Sequence, residues 1–169
     1  MDIAELLVEM YGRVPEEIHG AVDGLSADEL TARPAPGANS IAWLVWHLTR
    51  VQDEHVAELI GVEQLWVEEP WPEQFGLPAD PHDTGYGHTT EQVAAVRPDG
   101  PDVLVEYYGA VAARTTAWLA TLTPDDLDRI VDERWDPPVT LGVRLVSIVD
   151  DHIQHAGQAA YVRGLLPPR

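Results

Sequence analysis

The stretch from Thr140 to Gly164, TLGVRLVSIVDDHIQHAGQAAYVRG, constrains the fold more than any other, because it joins an unbroken helical pattern to a cluster of metal-ligating residue types. Thr140 is placed to cap a helix. Its positions Leu141, Leu145, Ile148, His152, His155, Ala159 and Val162 recur at spacings of three and four, the period of one helix face. Gly164 and then Pro167 supply the stop. Residues three or four apart on such a helix lie within about 6 Å at their Cβ atoms, so His155 can share a site with Asp151, with His152, or with both.

Which chemistry such a cluster can support depends on what the chain lacks. It has no cysteine, which excludes disulfides, a thiolate nucleophile and a cysteine zinc site, so any metal is held by imidazole and carboxylate. Ten Lys+Arg stand against 29 Asp+Glu, a net charge of -19, and the basic residues are scattered; nucleic acid and anionic membranes are therefore disfavoured as partners. No basic leader with an apolar run opens the sequence, and no apolar stretch reaches the roughly 18 residues of a membrane span. With 169 residues, the expectation is a single cytoplasmic domain over 1–169.

Upstream, the same period recurs. Ile3, Leu6, Leu7, Met10, Val14, Ile18, Val22 and Leu25 predict a first helix capped by Asp2 and kinked near Pro15. Ser26 and Glu29 form a capping-box pattern that opens a short helical turn. Asn39 or Ser40 caps a second long helix, IAWLVWHLTRVQDEHVAELIG, ended by Gly61. Val62 to about Gly100 is rich in proline and glycine breakers and predicts a long crossover holding short helices, the best of them after Thr89, with Trp66, Trp71 and Phe75 pinning it down. A third helix spans about Asp102 to Leu122, a short one restarts at Thr123-Pro124, and Trp135-Asp-Pro-Pro leads extended into the fourth. No segment alternates with period two for long. The economical architecture is all-α, a four-helix bundle with a long crossover between its second and third helices.

In the second helix His47 lies on the line Ile41, Leu44, His47, Val51, Glu54, Glu58, where the pattern calls for a hydrophobe. Taken alone, an inward histidine is more commonly a hydrogen-bonded core residue. Paired with His155 and a carboxylate from the last helix, it makes three ligands for one divalent ion, with positions left for water or substrate. Glu54, two turns on, is a candidate further ligand or base. Trp43, Trp46 and Trp118 are candidates for a substrate pocket as well as for plain core. His55, His82 and His88 have no partner at metal spacing, and His19 reads as a surface residue.

The segments NSIAWLVWHLTRVQ and VSIVDDHIQHAGQAAYVRGLL resemble the DinB superfamily of four-helix proteins over nearly the whole chain. The resemblance implies a metal triad of a helix-two histidine, matching His47, and a helix-four HxxxH followed by Gly-Gln. Its second histidine matches His155, while Asp151 stands where the pattern has its first. That departure leaves Asp151 and His152 both open as the third ligand, and Asp in place of His favours harder ions among zinc, nickel, manganese and iron. The resemblance further implies kinship to mycothiol- and bacillithiol-dependent transferases and isomerases, in which the metal activates a low-molecular-weight thiol toward a small electrophile. On that basis the expected metal ligands are His47, Asp151 and His155, with Trp43 and Glu54 as substrate contacts. The competing expectations are a metal-dependent hydrolase and a non-catalytic small-molecule-binding scaffold with a degenerate site. Helix faces bearing tryptophans outside the seams leave a homodimer open.

Overall fold

The computed structural model describes residues 1–167. Helix α1, Ile3–Tyr11, begins with a reciprocal capping box between Asp2 and Glu5, and α2 follows as Val14–Val22. The predicted single kinked helix is thus two helices. Gly12 caps α1 by donating to the Val8 carbonyl, and Pro15, which has no N–H to give, sits in the first turn of α2, where none is needed. Helix α3, Ala27–Thr31, carries the Ser26–Glu29 capping box, and α4, Ile41–Ile60, is capped by Ser40 and closed by Gly61.

Three short helices punctuate the crossover: α5 (Leu65–Glu68), α6 (Trp71–Phe75) and α7 (Thr90–Ala95), the last opened by a Thr89–Gln92 capping box. Helix α8, Pro101–Leu119, stops one turn short of the expected Leu122. After a 3-10 turn at Pro124–Asp128, strands β1 (Ile130–Asp132) and β2 (Val139–Thr140) form a small antiparallel ladder that leads into α9, Leu141–Gly164. The stretch around Trp135 is therefore the turn of a hairpin. Strands of three and two residues are too short to show alternation in sequence.

Helices α2 and α4 each pack against both α8 and α9, and the pairing of α4 with α9 is the most extensive. This is an all-α, DinB-like fold. Every residue of α4 from Ile41 to Arg50 is buried, because α3 and the crossover cover the face that α8 and α9 leave open. Between the helices lie Ile18, Leu30, Leu44, Trp46, Leu48 and Leu104, with a second cluster around Leu7, Leu119, Leu141 and Leu145 at the other end. Among the described residues no helix is long and apolar enough to cross a membrane.

A buried ion pair fastens the crossover to α4. Arg50 (0% exposed) and Asp53 (1%) lie 3.5 Å apart. Asp53 accepts the backbone N–H groups of Leu65 and Trp66 and the Tyr107 hydroxyl, at 3.0, 2.8 and 2.9 Å. Arg50 donates to the carbonyls of Pro81 and Asp83 and to the Gln64 side chain, and its guanidinium lies 5.0 Å from the centre of the Trp66 ring. Trp66, Trp71 and Phe75 all pack against Tyr107. Replacing Arg50 by Met strands the Asp53 charge in the core, and urea denaturation is expected to register a loss of about 3–5 kcal/mol. Adding Asp53→Asn should recover part of it; a single-variant loss below about 1 kcal/mol would show that the pair does not hold the crossover.

Candidate metal centre

His47 on α4 and Asp151 and His155 on α9 meet where these two helices pack, each offering one ligand atom within 4.8 Å of the others. Asp151 Oδ1 lies 3.7 Å from His47 Nε2 and 3.4 Å from His155 Nε2. These gaps are longer than a good hydrogen bond. They match the ~3.4 Å separation of two ligand atoms that share a tetrahedral ion at about 2.0–2.1 Å.

The protons of both imidazoles are placed by their outer partners. His47 Nδ1 faces the Thr84 carbonyl at 2.5 Å and His155 Nδ1 faces Gln158 Oε1 at 3.1 Å. Since those partners are acceptors, each Nδ1 carries a hydrogen and each Nε2 is turned toward Asp151, where its lone pair would become available to a bound cation. Burial opposes a charge on Asp151, but the imidazoles of His155 and His47 outweigh it and hold its carboxyl below the usual carboxylate range. Burial likewise opposes a charge on His155, and the Asp151 carboxylate overrides it to raise that imidazole's pKa. The second carboxylate oxygen, Asp151 Oδ2, is buried with no hydrogen-bond partner. Two aimed nitrogens, an ionised carboxylate and an orphaned oxygen are a donor set that fits a divalent cation.

His152, the other candidate for the third ligand, points away. It is fully buried between the rings of Tyr11 and Tyr108, with Nδ1 donating back to the Ile148 carbonyl, and burial pulls its pKa down to about 4. Trp43 stacks on His47 with ring centres 4.6 Å apart; it backs the centre instead of lining the opening in front of it. Glu54 does line that opening, a cleft of about 350 Å³ shared with His47, Val51, His55, Thr84, Tyr86, Ile148 and Asp151. Burial raises the Glu54 pKa despite the nearby Arg50. The crossover thus reaches the mouth through Thr84 and the exposed Tyr86, whereas Trp66 belongs to the core.

Sequence reasoning missed the clamp that sets the Thr84 carbonyl. Trp43 Nε1 donates to His88 Nδ1 at 3.1 Å, and His88 Nε2 then donates to Asp83 Oδ1 at 2.7 Å. Asp83 Oδ1 also accepts the Gly85 N–H. The Gly85–His88 breaker pattern was a signal for a tight loop, but nothing in it pointed to His47. Gly85 has φ +91°, and a Cβ there would come within 2.9 Å of the Trp46 ring and 3.0 Å of His47 Nδ1.

The fold and the three convergent side chains define a DinB-like helical protein with a candidate His2Asp centre. The chain belongs to the mycothiol S-transferase family, whose model matches residues 6–167. Among solved structures it is similar to a conserved protein from Enterococcus faecalis, with 34% identity over 98% of this chain and 97% of that one and a TM-score of 0.89. No protein of curated function matches it.

Gly85→Ala tests the clamp. Left-handed backbone costs an alanine about 1–2 kcal/mol, and its methyl would push the loop off His47. Metal affinity, followed by competition with a chromophoric chelator, should fall about tenfold or more, the scale seen when a histidine ligand loses its outer partner. Unchanged affinity would show that the Thr84 carbonyl does not orient His47.

Proposed function

We propose that this protein is a metal-dependent S-transferase, acting as one domain, that joins a low-molecular-weight thiol such as mycothiol to a small electrophile. The observation that carries the reading is the convergence of His47 Nε2, His155 Nε2 and the Asp151 carboxylate beside an open cleft that His47 and Asp151 line. His47, Asp151 and His155 would hold the ion, which when bound supplies the positive charge that lowers the pKa of a thiol beside it. Zinc, nickel, manganese and iron all suit a set of two nitrogens and one carboxylate oxygen.

The chain's own groups cover the remaining needs of the reaction. Thr84 and Gln158 keep the Nδ1 protons out of the site. Glu54, its carboxyl made more basic by burial, is placed in the cleft to take the thiol proton as the sulfur forms its bond to carbon and the leaving group departs with the electron pair. Val51, Ile148 and Tyr86 give the electrophile an apolar wall. A reduced thiol cosubstrate accords with the reducing cytoplasm that a cysteine-free sequence suggested.

Elemental analysis of the purified, untagged protein should find about one equivalent of metal, lost in His47→Ala, Asp151→Ala and His155→Ala and kept in His152→Leu. Consumption of 1-chloro-2,4-dinitrobenzene should then require an added thiol. Metal without thiol dependence would favour a hydrolase using bound water, and no metal after incubation with zinc, nickel, manganese and iron would leave a binding scaffold. A homodimer has a candidate face in Val143, Val146, Ile153 and Tyr161, all exposed on α9. Sedimentation equilibrium should give twice the monomer mass of 18.6 kDa, and Val146→Asp should return it to monomer.

A further inference from the structure

We propose that His55 is a catalytic hydrogen-bond donor in the cleft, fixed in its Nε2–H form by Arg144, and that it serves electrophiles whose departing electron pair collects on oxygen, as in an epoxide. The inference rests on the S-transferase reading and adds to it the group that stabilises the developing negative charge.

His55 follows Glu54 on α4 and shares the lining of the cleft with His47 and Asp151. Its Nδ1 lies 2.9 Å from Arg144 Nη1. A guanidinium has only donors, so Nδ1 is the acceptor and the ring hydrogen sits on Nε2. Among the described residues no group accepts that hydrogen, and Nε2 is not closed off from solvent as the orphaned Nε2 of His152 is. It is free to donate to a molecule in the cleft.

Arg144 is the positioning residue. Its side chain is only 12% exposed, and Nη2 lies 3.1 Å from Asp132 Oδ2, an oxygen that Arg134 also reaches, at 2.8 Å. Burial, and then the Arg144 charge, oppose protonation of His55. Asp151 on α9 and Asp132 on β1 favour it, Arg134 in the hairpin opposes it, and the balance pulls the His55 pKa down to about 4. The imidazole thus offers the cleft an N–H without a charge.

A neutral imidazole polarises an oxygen by hydrogen bonding and keeps its own proton, so proton transfer falls to the neighbouring Glu54. With an epoxide, the thiol sulfur bonds to a ring carbon, the C–O bond breaks and its electron pair stays on the oxygen. That oxygen accepts from His55 Nε2, and the proton that Glu54 took from the thiol passes to it. A donor counts where charge develops on an acceptor it can reach, and chloride is a poorer acceptor than an alkoxide.

Two readouts test the assignment. Nitrogen-15 NMR of the full-length protein, with His55 assigned by comparison with His55→Gln, should show Nε2 protonated and Nδ1 bare between about pH 5.5 and about pH 8. Arg144→Met, which leaves Asp132 its bond to Arg134, should mix the two tautomers. The second readout is turnover, with one thiol, of para-nitrophenyl glycidyl ether and of para-nitrobenzyl chloride. His55→Phe should lower kcat on the ether about a hundredfold, the scale for losing one donor to a developing oxyanion, and on the chloride by less than about threefold. His55→Gln, whose amide keeps a donor, should recover most of the loss. A bare Nε2, an imidazolium at neutral pH, or equal losses on both substrates overturns the proposal. Turnover of the chloride but not the ether by the metal-loaded parent sinks the role of His55 alone. No thiol-dependent turnover of either sinks the S-transferase reading, and the catalytic role of His55 goes with it.

Discussion

The pair Arg50–Asp53 is the constraint on which the rest of the site depends. Both side chains are in the core, where an unpaired charge would cost several kcal/mol, so neither can leave without the other. Their remaining hydrogen-bonding capacity goes to the crossover: Asp53 holds the start of α5, and Arg50 holds the carbonyls of Pro81 and Asp83. A segment of nearly forty residues is thereby fixed to the helix that carries His47. Immediately after Asp83 comes the Thr84 carbonyl that receives the His47 proton. Arg50 lies three positions after His47, so loop and ligand are positioned from a single turn of α4.

Asp151 changes what kind of centre this can be. In a triad of three imidazoles the ligands are neutral, and the ion keeps its full charge; one carboxylate reduces the net charge and hardens the donor set. The structure offsets part of the cost of burying that carboxylate with the flanking imidazoles, and leaves Oδ2 with nothing to bond. Around it the protein surface carries a net charge of -19, which raises the local concentration of cations and repels anionic substrates. The same imbalance would favour the approach of a divalent ion to the candidate centre.

Much of the fold was legible because its boundaries are written in local chemistry. The Asp2, Ser26, Thr89 and Thr140 caps and the Gly61 stop each satisfy orphan backbone groups within a turn, and each lies where the sequence placed it. His47 stood out as a histidine on an apolar line, and His155 through its place on α9. The choice between Asp151 and His152 was not legible: they differ by one residue, about 100° of helix rotation, and only the packing of α9 against α4 decides which faces the centre. The Arg50–Asp53 pair was hidden for a related reason. Charged residues on a long helix are ordinarily solvated, and what buries these two is a loop whose path no period encodes.

Helix α4 shows how the site and the fold come to share one set of residues. Between Ile41 and Val56 it buries His47, Thr49, Arg50, Gln52 and Asp53 among tryptophan, leucine and isoleucine. A helix serving stability alone would place hydrophobes at these positions, since polar groups in a core must each find a partner. Thr49 turns back to the Val45 carbonyl of α4 itself, but the others reach different elements: His47 to Thr84 and Arg50 to Pro81 and Asp83 in the crossover, Gln52 to Thr115 on α8, and Asp53 to Leu65 and Trp66 at α5. Directional bonds fix rotation and register in a way that apolar contacts do not. The polar residues of α4 therefore orient the elements around it, and the orientation they set is the one that brings the two Nε2 atoms and Asp151 Oδ1 together.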